Sequence, residues 1–319
     1  MEYRTLGRTE IKVSPFGFGT GGGQDPLGQR GGMPEEDVFR LIRHAYEKGI
    51  NFFDTAPGYM ESEVLLGRAL RKFPRDSYHI STKIALAGSM PGEPIQVMNP
   101  ADIEKNVDKC LRRLDMDYVD LLLIAVADPD YYDQVVEQQL PELERLRKKG
   151  KIRFLGSSEQ SRDDGSHQWL QKILPTGLLD VAMVSHNMVN QSARKVVFPV
   201  CKQMNLGAIN IFTVRNAFRN PDYLAEVLQD LRNQGLLPKD FPENFRLDDW
   251  IREQEGIDLP EAAYRYAAFT EGVSLVMMGT LKPSRIDENF GYLEKGPLKE
   301  STLRQLHAWF GDINVPVGN

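Results

Sequence analysis

Cysteine is scarce in this chain of 319 residues: Cys110 and Cys201 are the two present, and each sits inside a helical pattern. Such spacing suits neither a disulfide framework nor a thiolate metal site. Histidine is sparse as well, at 44, 79, 167, 186 and 307, and no HExxH-type pair occurs. A metal centre is therefore not expected. No apolar run approaches the ~18 residues of a membrane span, and the opening Met1-Glu2-Tyr3-Arg4 lacks the apolar core of a signal peptide. Basic charge is not in excess: 39 Lys and Arg stand against 45 Asp and Glu, a net charge of −6. That balance offers nucleic acid no general surface. The densest basic cluster, from Arg145 to Arg153, closes one predicted helix and opens a strand, where the helix dipole favours cations. Internal repeats and low-complexity segments are lacking too. These absences give the expectation of a cytoplasmic protein with no membrane or nucleic-acid partner.

What is present is a regular beat. A predicted hairpin (3–6 and 11–13, turning at Gly7-Arg8-Thr9) precedes strands near 16–19, 51–54, 78–83, 118–124, 151–156, 179–185, 207–212 and 273–278. Helical patterns follow them near 35–48, 61–72, 101–114, 131–149, 164–173, 192–204, 260–270 and 284–291. The strands are short and mostly apolar, as in a parallel sheet covered on both faces. Eight strand–helix units without a domain-separating break predict one α/β domain over 1–319, a closed (β/α)8 TIM barrel, a fold that typically needs about 250 residues. Two irregular stretches, 86–100 and 213–258, the latter with an extra helix near 222–233, read as long loops at the C-terminal face, where substrate sites are built.

Gly17-Phe18-Gly19-Thr20-Gly21-Gly22 matches the dinucleotide fingerprint GxGxxG. The fingerprint requires a helix to open on those glycines. Here a loop continues to about Glu35, so a glycine-rich barrel rim is the better reading. A more telling set is Asp54, Tyr59 and Lys83, each at or just after the end of a predicted strand. In a barrel those ends share one face. A free tyrosine, with a pKa near ~10, is a poor acid at neutral pH. A neighbouring ammonium stabilises the phenolate, and a buried ammonium needs a counter-charge such as Asp54. The trio suits protonation of a carbonyl oxygen while hydride reaches its carbon.

At this point the chain resembles the aldo/keto reductase superfamily. Asp54-Thr55-Ala56 with Tyr59, Glu63 and Leu66-Gly67-Arg68-Ala69-Leu70 is similar to its first signature, and Ser81-Thr82-Lys83 to its lysine motif. Met278-Gly279-Thr280-Leu281-Lys282-Pro283-Ser284-Arg285-Ile286-Asp287-Glu288-Asn289 is similar to its last motif. The resemblance implies a (β/α)8 fold, NADP(H), and reduction of a small-molecule carbonyl without metal or flavin. It gives Tyr59 the role of acid, Lys83 that of pKa tuner and Asp54 that of counter-ion. It implies cofactor contacts at Thr20, Asp54, Ser158, Phe212, Gly279, Thr280, Lys282, Arg285, Glu288 and Asn289. Four departures cluster at the nicotinamide end. Ala125 replaces the carbonyl-orienting histidine, Glu159 stands where asparagine is usual, Met183 stands about where glutamine is, and Phe212 lies one position from the expected aromatic. His186, at a strand end, is a candidate stand-in for the missing histidine. Two outcomes follow: a slow or altered reductase, or an NADP(H)-binding sensor that meets a protein partner. A barrel hydrolase, with Asp54 and Glu61 as its carboxylate pair, is the weakest reading.

Overall fold

In the computed structural model, residues 2–21, 33–88, 95–125, 128–159 and 164–317 are described. Arg4–Thr5 (β1) and Lys12–Val13 (β2) form the N-terminal hairpin around a 3-10 turn at Gly7–Thr9. Phe16–Gly19 (β3), Phe52–Asp54 (β4) and His79–Ala85 (β5) follow. A small antiparallel ribbon, Ala87–Gly88 (β6) with Gln96–Val97 (β7), lies within the stretch expected to be irregular. Then come Val119–Ala125 (β8), Ile152–Ser158 (β9), Val181–Ser185 (β10), Gly207–Ile211 (β11) and Leu275–Met278 (β12). Parallel pairing in the order β10-β11-β12-β3-β4-β5-β8-β9 closes the eight-stranded barrel. This is the α/β barrel expected from the beat.

Side chains alternate across the barrel wall, as strand geometry requires. Phe52, Leu121, Leu123, Val181, Met183, Ile209 and Leu275 pack with Leu6, Ile11 and Val13 in one interior cluster. Their sequence neighbours Phe53, Leu122, Ile124, Ala182, Val184, Ala208 and Val276 pack outward under the helices. The hairpin therefore plugs the floor of the barrel. Gly7 makes this possible: its φ is +52°, and a Cβ there would stand 2.2 Å from the Gly207 nitrogen.

Several predicted helices differ in detail. The one expected over 131–149 carries a π turn at Val135–Gln139 just before Pro141, which has no N–H for the regular ladder. The one expected over 192–204 divides into Ala193–Val196 and Phe198–Gln203 next to Pro199. The one expected from 164 starts at Gln168. The 213–258 stretch is mainly helical, with Asn216–Arg219, Pro221–Asn233 and Leu247–Glu255. With the unanticipated C-terminal helix Glu300–Phe310 it builds a second apolar cluster around Phe218, Phe241, Ile251, Leu306 and Phe310. Most of the basic cluster at 145–153 is paired: Glu104 takes Arg145, Lys149 and Lys151, and Asp120 takes Arg153.

Candidate active site

Alternation carries Asp54, Lys83, Ala125, Ser158 and Ser185 to the inner side of the C-terminal mouth, above the interior cluster. Asp54 and Lys83 are both buried, with Lys83 Nζ 2.5 Å from Asp54 Oδ2. Ser81 Oγ donates to the other carboxylate oxygen at 2.7 Å, and Lys83 Nζ donates to the Thr55 carbonyl at 2.9 Å. Burial alone would lower the Lys83 value, but the Asp54 carboxylate first and the neighbouring Tyr59 second outweigh it and hold it above the ordinary lysine range. The ammonium is thus a fixed cation at neutral pH.

Tyr59 meets that cation from the loop after β4. A tight turn, closed by Tyr59 N donating to the Ala56 carbonyl, folds the ring back over the mouth. Lys83 Nζ lies 5.0 Å from the ring centroid. Gly21 packs against the same ring: a Cβ at that position would be 2.3 Å from it. Behind the trio, fully buried Glu63 accepts from Thr82 Oγ1 at 2.8 Å and from Arg113 Nε at 2.9 Å. This brace ties the helix Ser62–Leu70 to the strand that carries Lys83.

The adenosine-side candidates also share a surface. Helix Pro283–Glu294 starts with no side-chain cap and no acid in its first turn, so its positive end is open. Thr280 and exposed Lys282 precede it, the Thr280 hydroxyl accepting from Lys282 N at 3.1 Å. Arg285 is exposed and pairs with Glu288 at 2.5 Å. Asn289 is instead buried, donating to Met278 Sδ at 3.2 Å. Gly279 packs on the first strand, where a Cβ would stand 3.3 Å from the Gly19 carbonyl. Thr20 is fully enclosed, its hydroxyl spent on the Asp54 carbonyl and on Ser62.

At the nicotinamide-side candidates, Ala125 lies in register with Ala85 and Ser158. Two alanines therefore stand side by side where one was expected. His186 does not replace the missing histidine. It is fully buried outside the barrel, between Phe198 and Tyr266 with ring centroids 5.2 Å away on each side, and Nε2 is 3.3 Å from Thr270 Oγ1. Met183 belongs to the interior cluster, and Ser185 is the next inward residue toward the mouth. Phe212 follows β11 with φ +59°, exposed, and Arg215 stacks on its ring at 3.6 Å. Glu159 turns away: its carboxylate takes His167 Nδ1 at 2.5 Å and Ser185 N, while His167 Nε2 meets Ser192 Oγ at 2.7 Å. That buried chain was invisible in the sequence, because its members come from three separate segments. Glu61 is exposed and faces Arg113 at 3.8 Å, so it makes no carboxylate pair with Asp54.

The aldo/keto reductase family model matches residues 15–309. The chain belongs to the aldo/keto reductase family. It is similar to L-galactose dehydrogenase of Arabidopsis thaliana, 29% identical, with 100% of this chain and 96% of the relative covered. It is also similar to the NADH-specific methylglyoxal reductase of Escherichia coli (strain K12), 28% identical over 62% of each. Among solved structures, an aldo-keto reductase of Bacillus halodurans in its holo form superposes with a TM-score of 0.71. That match covers 96% of this chain and 95% of the other at 22% identity, a likeness of fold. Membership of the family gives this chain the character of an oxidoreductase acting on small carbonyl compounds with a nicotinamide cofactor.

Proposed function

We propose that the protein is an NADP(H)-dependent oxidoreductase that interconverts a carbonyl and an alcohol, with Tyr59 as the proton donor. The observation that carries this reading is the Lys83 ammonium, held between the Asp54 carboxylate and the Tyr59 ring at the barrel mouth. When bound, NADPH supplies the hydride. Tyr59 gives its hydroxyl proton to the developing alkoxide, and Lys83 stabilises the phenolate that remains. Asp54 keeps Lys83 charged and in place. Gly279 is closely packed on Gly19, and the uncapped helix end after Lys282 favours an anion. Arg285, Lys282 and Thr280 would hold a 2′-phosphate, Arg285 by exchanging its pairing with Glu288. Phe212 offers a ring face and Ser158 a hydroxyl on the nicotinamide side.

The paired Ala85 and Ala125 leave the carbonyl without a histidine donor. Losing one such donor commonly costs about 10²–10³ in rate, so slow turnover on ordinary aldehydes is expected. The test is fluorescence titration with NADPH and NADH, followed by a carbonyl panel and the reverse reaction on sugars with wild type and Tyr59→Phe. L-galactose belongs in that panel because a relative matched along the whole chain is named for it. Binding of NADPH with activity lost in Tyr59→Phe is expected. Failure to bind either nucleotide would overturn the proposal. Tight binding with turnover indifferent to Tyr59→Phe would replace it with a nucleotide sensor acting through a protein partner.

A further inference from the structure

A cavity of about 380 Å³ opens on the outer flank of the barrel, between helices Phe198–Gln203 and Leu259–Ala268 and beside Glu300–Phe310. Thr270 and Gly272, which line it, precede β12, so it lies toward the end of the barrel opposite the Tyr59 mouth. None of the candidate active-site residues lines it. Three of its cations differ in what surrounds them. Lys202 pairs with Glu271, and Arg265 pairs with Glu261 at 3.0 Å. Arg194 has no carboxylate at ion-pair distance among the described residues, and its guanidinium donates to Gln191 Oε1 at 3.3 Å.

A second observation concerns the wall beside that guanidinium. Tyr266 lines it and is 2% exposed, yet its hydroxyl has no well-formed hydrogen bond among the described residues. Buried hydroxyls are normally satisfied, and leaving one unmet is costly. Arg194 is the charge beside that hydroxyl. His307 completes the polar corner; burial first, and Arg194 second, hold it down to about 4, so it is neutral at physiological pH. The remaining walls, Phe198, Phe269, Leu298 and Leu303, are apolar.

One guanidinium without a carboxylate, one phenol beside it and an apolar wall define the ligand. The volume is near the lower end for small-molecule sites, about 300–1,000 Å³. Glu271 on the rim disfavours a dianion. We propose that this cavity binds a small organic monocarboxylate with an apolar body, its carboxylate paired with Arg194, which the Tyr266 hydroxyl adjoins. The inference does not depend on nicotinamide binding or carbonyl chemistry.

Calorimetric titration of the full chain, without nucleotide, tests it with three probes: cyclohexanecarboxylate, its neutral amide, and inorganic phosphate. The carboxylate is expected to saturate and to exceed the amide by about tenfold, the weight of one charge-assisted hydrogen bond. Arg194→Gln should weaken it by a similar factor, Tyr266→Phe should weaken it less, and Tyr59→Phe should leave it unchanged. Leu303→Trp, which fills the cavity without removing a charge, should abolish binding even if Arg194→Gln fails to fold. Absence of saturation, equal affinity for the amide or for phosphate, or weakening by Tyr59→Phe but not by Leu303→Trp would each overturn the assignment.

Discussion

Lys83 keeps its charge in a buried place because Asp54 is bonded to it and Tyr59 lies beside it. Removing the ammonium while keeping much of the stem isolates that role. Lys83→Met should lower turnover by at least about 10², the lower limit for a positioned proton donor, while NADPH affinity measured by fluorescence stays within a few-fold. Ala125→His restores a donor beside Ser158, and a gain in aldehyde reduction of up to about 10²–10³ is the expected outcome. No gain in a panel assay would mean that Ala85 or the neighbouring strand leaves the new ring misplaced. Gly21 is a subtler case. Its missing side chain makes room for the Tyr59 ring, so Gly21→Ala must push one of them aside. Activity should drop with little change in thermal stability, because the ring is partly exposed.

At the scale of elements, the helix Pro283–Glu294 and the residues before it carry cofactor choice in the proposed reading. Arg285→Ala should raise KM for NADPH markedly and leave KM for NADH nearly unchanged, a split that a purely structural Arg285–Glu288 pair would not produce. The second apolar cluster makes a different demand. Phe310 is fully buried against Phe241, with ring centroids 5.7 Å apart. Phe310→Ala is expected to cost about 3–5 kcal/mol in urea unfolding, with the barrel mouth left intact. The strand beat was legible because each strand is a short apolar run followed by an amphipathic helix. The helix Glu300–Phe310 was not anticipated, although Leu303, Leu306 and Phe310 recur at helical spacing, because an eight-unit barrel does not call for it. The breaks near Pro141 and Pro199 were not expected, although proline disturbs a helix locally.

For the molecule as a whole, pH dependence follows from groups whose neighbours differ from water. His186 and His307 are both held below the ordinary histidine value, chiefly by burial. The unfolded chain therefore takes up protons first as pH falls, and stability present above 6.5 is lost on the way toward about 4. Glu104, Asp120 and Asp287, held low in the folded chain, extend that loss below the ordinary carboxylate range; Glu159, raised by burial, runs against it. Lys83 is raised, so its contribution is complete below 10.5 and fades as pH climbs through its folded value. Urea midpoints measured from pH 4 to 10 should show a plateau near neutrality and a decline toward acid; a flat acid limb would contradict the assignment. The sequence by itself determined the barrel, the shared face of Asp54, Tyr59 and Lys83, and the absence of histidine at position 125, because strand periodicity and chain order are local properties. Only the tertiary structure decided that His186 points out of the barrel, that Glu159 is taken by His167, that Ala85 stands beside Ala125, and that Arg194 and Tyr266 share a cavity. Those facts depend on which distant segments meet, and packing across the fold settles that, not the pattern along the chain.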